Sequence, residues 1–213
     1  MNLKKSKELE KHDRKKVFEK LLDQAFYLLA DLYTFKALFH SDCQTELLLR
    51  DAAEDFFSRL NEILHKYFIL EVFRLVGPAK STGKYNLTTQ LMTELVCKEP
   101  MTETCREIKN LSKELALFGD KLKNPRNKLI AHLDLDSHIS DCSLGGFDGK
   151  ELDTFMRNLE DYFKMVGGIV GSEGLKGFYT LDPNTVKKPK RDVYGLLTIL
   201  QKAKEAGLPP WEE

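Results

Sequence analysis

Two long segments with apolar residues at helical spacing constrain this chain more than any other feature. In VFEKLLDQAFYLLADLYTFKALF, Val17, Leu21, Leu22, Ala25, Leu28, Leu29 and Leu32 recur every three or four residues. That repeat places side chains on one face of an α-helix. It predicts a first helix from about Lys7 to Phe39, behind a basic start. HSDCQT breaks the pattern, and a second helix follows over roughly Glu46 to Val76, with Leu48, Ala52, Phe56, Leu60, Ile63 and Leu64 along one stripe. Its latter half, YFILEVFRLV, is apolar on most sides and suits the centre of a bundle. Long neighbouring helices with short connections bury their stripes by packing on other helices.

The remaining chain reads as shorter helices between recognisable breaks. GPAKSTGKYN is a loop punctuated by Gly77-Pro78, and Asn86 is placed to cap a short helix through Val96. Pro100 marks the next break. Thr104 and Glu107 have capping-box spacing for a helix to about Phe118. Asn124 can cap a further helix whose first position is Pro125, where a missing amide donor costs nothing. HISDCSLGGFDGK is loop, and Asp148 with Glu151 can cap a helix carrying Leu152, Phe155, Met156, Leu159, Phe163 and Met165. After Gly167-Gly168 the pattern weakens. GLKGFYTLDPNTVKKPKR reads as a short extended piece and a basic loop, and Asp192 to Ala206 as a last helix. The expected fold is all-α: a helical bundle of about six to seven helices over residues 1–170. A less regular C-terminal extension over 171–213 holds the basic loop and the last helix.

Composition narrows the function classes. Lys and Arg total 33, matched by 33 Asp and Glu. The whole-molecule field therefore does not mark a nucleic-acid binder, and any polyanion site must be local. Cys43, Cys97, Cys105 and Cys142 form no CxxC pair and no zinc-like group with histidines, so they read as reduced thiols of a cytoplasmic protein. The charged N-terminus leads into no signal-like apolar block. No run of 18 apolar residues occurs, so no membrane span is expected.

The segment with chemical potential is KNPRNKLIAHLD, Lys123 to Asp134. Arg126 and Asn127 fall in the first turn of the expected helix, and His132 follows six residues after the Arg. The two Cα atoms are then ~9 Å apart along the axis, with directions differing by roughly 120°. They share no stripe within one helix. A second copy of the helix, packed antiparallel, would bring Arg from one subunit toward His of the other in a polar cleft on a dimer axis. Such a cleft suits RNA cleavage by the RNA's own 2′-hydroxyl. An imidazole with pKa about 6.5 exchanges protons near neutrality, and Arg offers a permanently charged fork for phosphate oxygens. Asn127 can position either the phosphate or the imidazole. Asp134 and Asp136 are too sparse a set for a cation site, and neither a metal nor a cofactor is called for. Against this stands ordinary capping: Pro at the first helical position with Asn before it, and an Arg and a His that share a helix by coincidence.

Arg126-Asn127 through His132, as RNKLIAH, resembles the signature of the HEPN superfamily, an Arg, a polar residue and a His within a short helical span. LYTFKALFHS, LLRDAAEDFFSRLNEILHKYFILEVFRLVGP, NLTTQLM and RNKLIAHLD, in that order, are similar to the abortive-infection (Abi) branch of that superfamily, over roughly Phe26 to Tyr162. The resemblance implies an all-α bundle that dimerises with its motif helices facing across the axis. It implies a metal-independent endoribonuclease of toxin or anti-phage type, with an antitoxin protein as a possible partner. By the same resemblance Arg126 would contact the scissile phosphate, Asn127 would be the motif's polar residue and His132 the catalytic histidine. The superfamily also holds non-catalytic members, so a nucleotide-binding, RNA-binding or protein-interaction module is the alternative.

Arg74 and Lys128 are candidate substrate-binding cations. Arg74 interrupts the apolar run ILEVFRLVG, where a charge needs a partner or an aqueous cleft. Glu71, three residues earlier, can supply an ion pair instead. Asp55 and Arg59, four apart, are expected to pair along the second helix or to support a dimer face. KKPKR, Lys187 to Arg191, could attract RNA backbone without reading sequence.

Overall fold

The computed structural model describes residues 13–97, 102–127, 147–171 and 186–207. Among the described residues the fold is all-α, with seven helices and one small hairpin. The elements are α1 (Arg14–Phe39), α2 (Cys43–Val76), β1 (Lys80–Ser81), β2 (Lys84–Tyr85), α3 (Thr89–Val96), α4 (Glu103–Lys121), α5 (Lys123–Pro125), α6 (Gly149–Val170) and α7 (Lys188–Glu205). No described helix is long and apolar enough to cross a membrane. Two compact units form: Met1–Phe26 with Ile69–Leu181, and Tyr27–Phe68 with Asp182–Glu213.

Acidic and hydroxyl side chains start five of the seven described helices, where orphan amides need acceptors. Asp13 Oδ1 accepts from the Lys15 and Lys16 amides at the head of α1. The expected start at Lys7 lies outside the described residues. Asp42 Oδ1 accepts from the Thr45 amide at 2.7 Å, so α2 begins at Cys43 rather than Glu46. Those bonds hold the Asp42 carboxyl below its ordinary pKa. Helix α2 also has an internal break at Ala53, whose backbone is extended (φ −167°, ψ 79°).

Two expected caps move by one turn or less. Thr88, not Asn86, caps α3 by accepting from the Leu91 amide. Asn86 is occupied elsewhere: its Nδ2 donates to the Pro78 carbonyl at 2.8 Å and to Ser81 Oγ at 3.0 Å. It thereby closes a hairpin in the stretch expected as loop, across Thr82 and Gly83, both with positive φ. That is the backbone a two-residue hairpin turn requires. Thr102, not Thr104, caps α4 by accepting from the Cys105 amide at 3.2 Å. At Asp148 the expectation holds. Its side chain accepts from the Glu151 amide, and the Glu151 carboxylate accepts from the Asp148 amide.

Helix α6 runs through Gly167 and Gly168 to Val170, ending at left-handed Gly171 (φ 71°). Gly167 is used for close packing, since a Cβ there would stand 3.3 Å from the Phe18 ring. The basic stretch expected as loop is instead mostly helix: Lys188 opens α7, with Pro189 in the first turn. Proline is tolerated there because that turn's amides have no intrahelical acceptor.

In the unit of Met1–Phe26 and Ile69–Leu181, α4 packs on α6. Phe118 stacks on Phe155 with centroids 4.5 Å apart, and Ile108, Leu115, Leu152, Leu159 and Phe163 are buried with them. Tyr162, fully buried, donates to the Thr89 carbonyl at 2.6 Å and bonds Thr93 Oγ1 at 2.9 Å, tying α6 to α3. Burial pushes its phenol pKa well up. Val17 and Tyr85 pack on buried Ala79, Leu91 and Leu95.

In the unit of Tyr27–Phe68 and Asp182–Glu213, the core is Ala37, Leu38, Leu49, Phe57 and Val193, flanked by Leu60, Leu197 and Leu200. Phe35 meets Phe68 edge-on at 5.1 Å. Lys204 bridges to Asp51 at 2.8 Å. The expected Asp55–Arg59 pair does not form. Arg59 donates to Glu62 at 3.1 Å instead, three residues on, where Lys66 also reaches at 2.5 Å. Between two cations, Glu62 is held below its ordinary pKa.

Candidate active site

The described part of the motif begins where α4 ends. Leu122, fully buried, turns the chain, and Lys123 to Pro125 form the short α5. The expected cap at Asn124 is not made, because Asn124 lies within that turn and Pro125 is its last residue rather than the first of a helix. The Arg126 amide donates to the Leu122 carbonyl at 3.0 Å, and Arg126 has helical backbone angles (φ −59°, ψ −50°). Arg126 and Asn127 continue in a π-type turn, a geometry that re-aims side chains locally.

Arg126 is half-buried, and its guanidinium is fixed on two sides. It lies 3.6 Å from the centre of the Phe73 ring on α2. Its Nε donates to Asn127 Oδ1 at 2.9 Å, and its Nη2 donates to the same oxygen. A guanidinium is weakly hydrated and planar, so an aromatic face and a shared amide oxygen hold it without neutralising its charge. The charged fork remains suited to an anion, now with its orientation set in advance.

The candidates fare differently. Arg126 and Asn127 are in direct contact. His132 and Lys128 lie outside the described residues, so the expected approach of Arg126 and His132 is not described. Arg74 is exposed on α2 and donates to Glu71 Oε1 at 2.7 Å, the same-helix pair that its spacing allows. Phe73 is the contributor the sequence reading passed over. It lies within the apolar run YFILEVFRLV, and no local signal couples it to a residue on another element.

Beside this arginine lies a cavity of about 710 Å³, with Phe73, Gln90, Lys109, Lys113 and Lys123 among its lining residues. Gln90 is anchored there, its Oε1 accepting from the Ala79 amide at 2.9 Å. Among the described residues, no three His, Cys, Asp or Glu side chains gather as a cation site. Cys43, Cys97 and Cys105 are free thiols. Cys97 bonds the Cys105 carbonyl, and burial pushes its pKa up to about 12, which keeps it protonated and unreactive.

An all-α fold with an arginine held on a short helical turn is what the HEPN resemblance leads one to expect. The match to a family model makes this specific: the model for HEPN_AbiU2 (AbiU2) covers residues 13–194, and the chain belongs to that family. No curated protein and no solved structure matches the chain.

Proposed function

We propose that this protein is a metal-independent endoribonuclease of toxin or anti-phage abortive-infection type, acting as a homodimer in the cytoplasm. The observation that carries the reading is the Arg126 guanidinium, oriented by Phe73 and Asn127, in a chain of the AbiU2 family. In the proposed reaction the 2′-oxygen of RNA attacks the adjacent phosphorus as the bond to the 5′-oxygen breaks. His132 takes the 2′-hydroxyl proton or delivers one to the leaving oxygen, the work a group of pKa about 6.5 does near neutrality. Arg126 holds the charge that develops on the phosphoryl oxygens. The products are a 2′,3′-cyclic phosphate, or its hydrolysis product, and a 5′-hydroxyl. Pairing of two subunits would supply Arg and His to one cleft, and an antitoxin protein would silence it.

The test is cleavage of an RNA panel in chelator by purified dimer and by folded His132→Ala and Arg126→Ala variants. Activity lost in both variants, with folding intact, supports the reading. A folded His132→Ala dimer that cuts as well as wild type, or an inert wild-type dimer, overturns it. A second reading draws on the Arg126–Asn127 contact itself, which also serves to brace a turn. On that reading the chain is a non-catalytic RNA-, nucleotide- or protein-binding module, and it binds without turnover.

A further inference from the structure

The cavity beside Arg126 has no role in the chemistry above. Its volume, about 710 Å³, falls within the range that holds nucleotide-sized ligands. Phe73 belongs to both places: it lines the cavity and carries the Arg126 guanidinium on its ring. The two sites therefore share the Phe73 side chain.

The lining supplies chemistry for a strand rather than for an isolated anion. Lys109 and Lys113 lie on α4 four residues apart, about 6 Å along the axis. That step is close to the spacing of successive phosphates in an extended strand. Lys123 stands at the other end, in the turn that leads into Arg126. The rest of the lining includes polar groups that carry no positive charge. Ser112 is only 7 % exposed, and Gln90 is held by the backbone so that its amide nitrogen is a fixed donor. Asp120 and Glu94 also line the cavity, acceptors suited to base amino groups and ribose hydroxyls. The net excess of lysine is one, so the cavity is no generic anion trap. Its cations on α4 and α5 fit a backbone, and its carboxylates fit groups that a nucleotide carries and an inorganic anion lacks.

We propose that this cavity, walled by α2, α3 and α4, is a subsite for the nucleotide flanking the phosphate held at Arg126, with Lys109 and Lys113 gripping the strand backbone. The choice of ligand rests on the ribonuclease reading. The test separates the two by using a 2′-O-methyl RNA oligonucleotide, which binds but has no 2′-hydroxyl to attack.

The experiment measures fluorescence anisotropy of the labelled oligonucleotide with the full chain as wild type, Lys109→Glu/Lys113→Glu, the milder Lys109→Gln/Lys113→Gln, and Lys164→Glu. Lys164 lies on α6 and lines a different cavity, so its reversal controls for net charge. Each variant is first checked for helical content, and the Gln pair keeps the test open should the Glu pair fail to fold. The expected result is weaker binding by both double variants, with a salt dependence shallower by about 1.4 in the log–log slope for two lost single-strand phosphate contacts. Lys164→Glu should bind as wild type does. On cleavable RNA the double variants should raise KM and spare kcat. Equal binding by wild type and the folded double variants overturns the subsite, as does an equal loss in Lys164→Glu. Lysine-dependent binding by a wild type that cuts no RNA sustains the subsite and removes the ribonuclease reading.

Discussion

Phe73 of α2 carries Arg126 on its ring, the guanidinium 3.6 Å from the ring centre. Neither residue has a local reason to find the other. On the proposed function, the pairing sets where the charged fork stands before RNA arrives. That is the form of positioning which lowers a barrier without reorganisation at the moment of reaction.

Replacing Phe73→Leu should therefore lower kcat/KM on RNA by about 2- to 30-fold, the range that corresponds to a cation–π contact of about 0.5–2 kcal/mol. Phe73→Tyr keeps the ring and should restore most of the loss. Arg126→Lys should cost more than Phe73→Leu, because an ammonium has no planar fork to lay on the ring or offer to phosphate. Steady-state kinetics across the three variants checks the order. Equal rates for Phe73→Leu and wild type would remove the positioning role.

Gly119 lies where α4 meets α2, and a Cβ there would stand 2.5 Å from Val76 Cγ2. Val76 is buried, and its branched side chain has little rotamer freedom with which to withdraw. Gly119→Ala should thus destabilise the fold by about 1–3 kcal/mol, outweighing the gain of about 1 kcal/mol in helix propensity. The urea midpoint reads the sign. A more stable variant would mean that the two helices separate easily.

Tyr162 has two hydroxyl contacts in a fully buried setting, the Thr89 carbonyl and Thr93 Oγ1. Tyr162→Phe fills the same space and leaves those partners in place, so the expected loss is about 1–3 kcal/mol. Tyr194→Phe, at a ring 49 % exposed, should change stability by less than about 0.5 kcal/mol. Thermal melts of the pair make the comparison.

His65 packs near the Phe35 ring, and burial followed by the charge of His40 lowers its pKa from the usual value near 6.5. Below that value the unfolded chain takes up a proton that the folded chain refuses, so stability falls as pH drops from about 6.5 toward the folded pKa and is unaffected above. Unfolding midpoints at pH 7.5 and pH 5 should differ more for wild type than for His65→Gln. The same acid loss in both proteins would assign the effect to other groups.

The helices themselves were legible because a 3.6-residue apolar repeat is a short-range property. Leu21, Leu28 and Leu32 announce α1 without reference to anything distant, and Asp148 with Glu151 announces the start of α6. Caps were less legible, since Asn86, Thr88, Thr102 and Thr104 all have the right chemistry and only the fold decides which of them meets an orphan amide. Asn86 lost that role to a hairpin, and Asn124 lost it to the turn after α4.

The site divides along the same line. Residue order alone put Arg126 beside Asn127, and their side chains do meet, as adjacent residues in a turn can. Nothing in the order of residues joins Phe73 to Arg126, or brings Gln90 to a cavity with Lys113. Those relations depend on helix packing, where many weak contacts summed over whole faces choose one arrangement and carry isolated side chains into place.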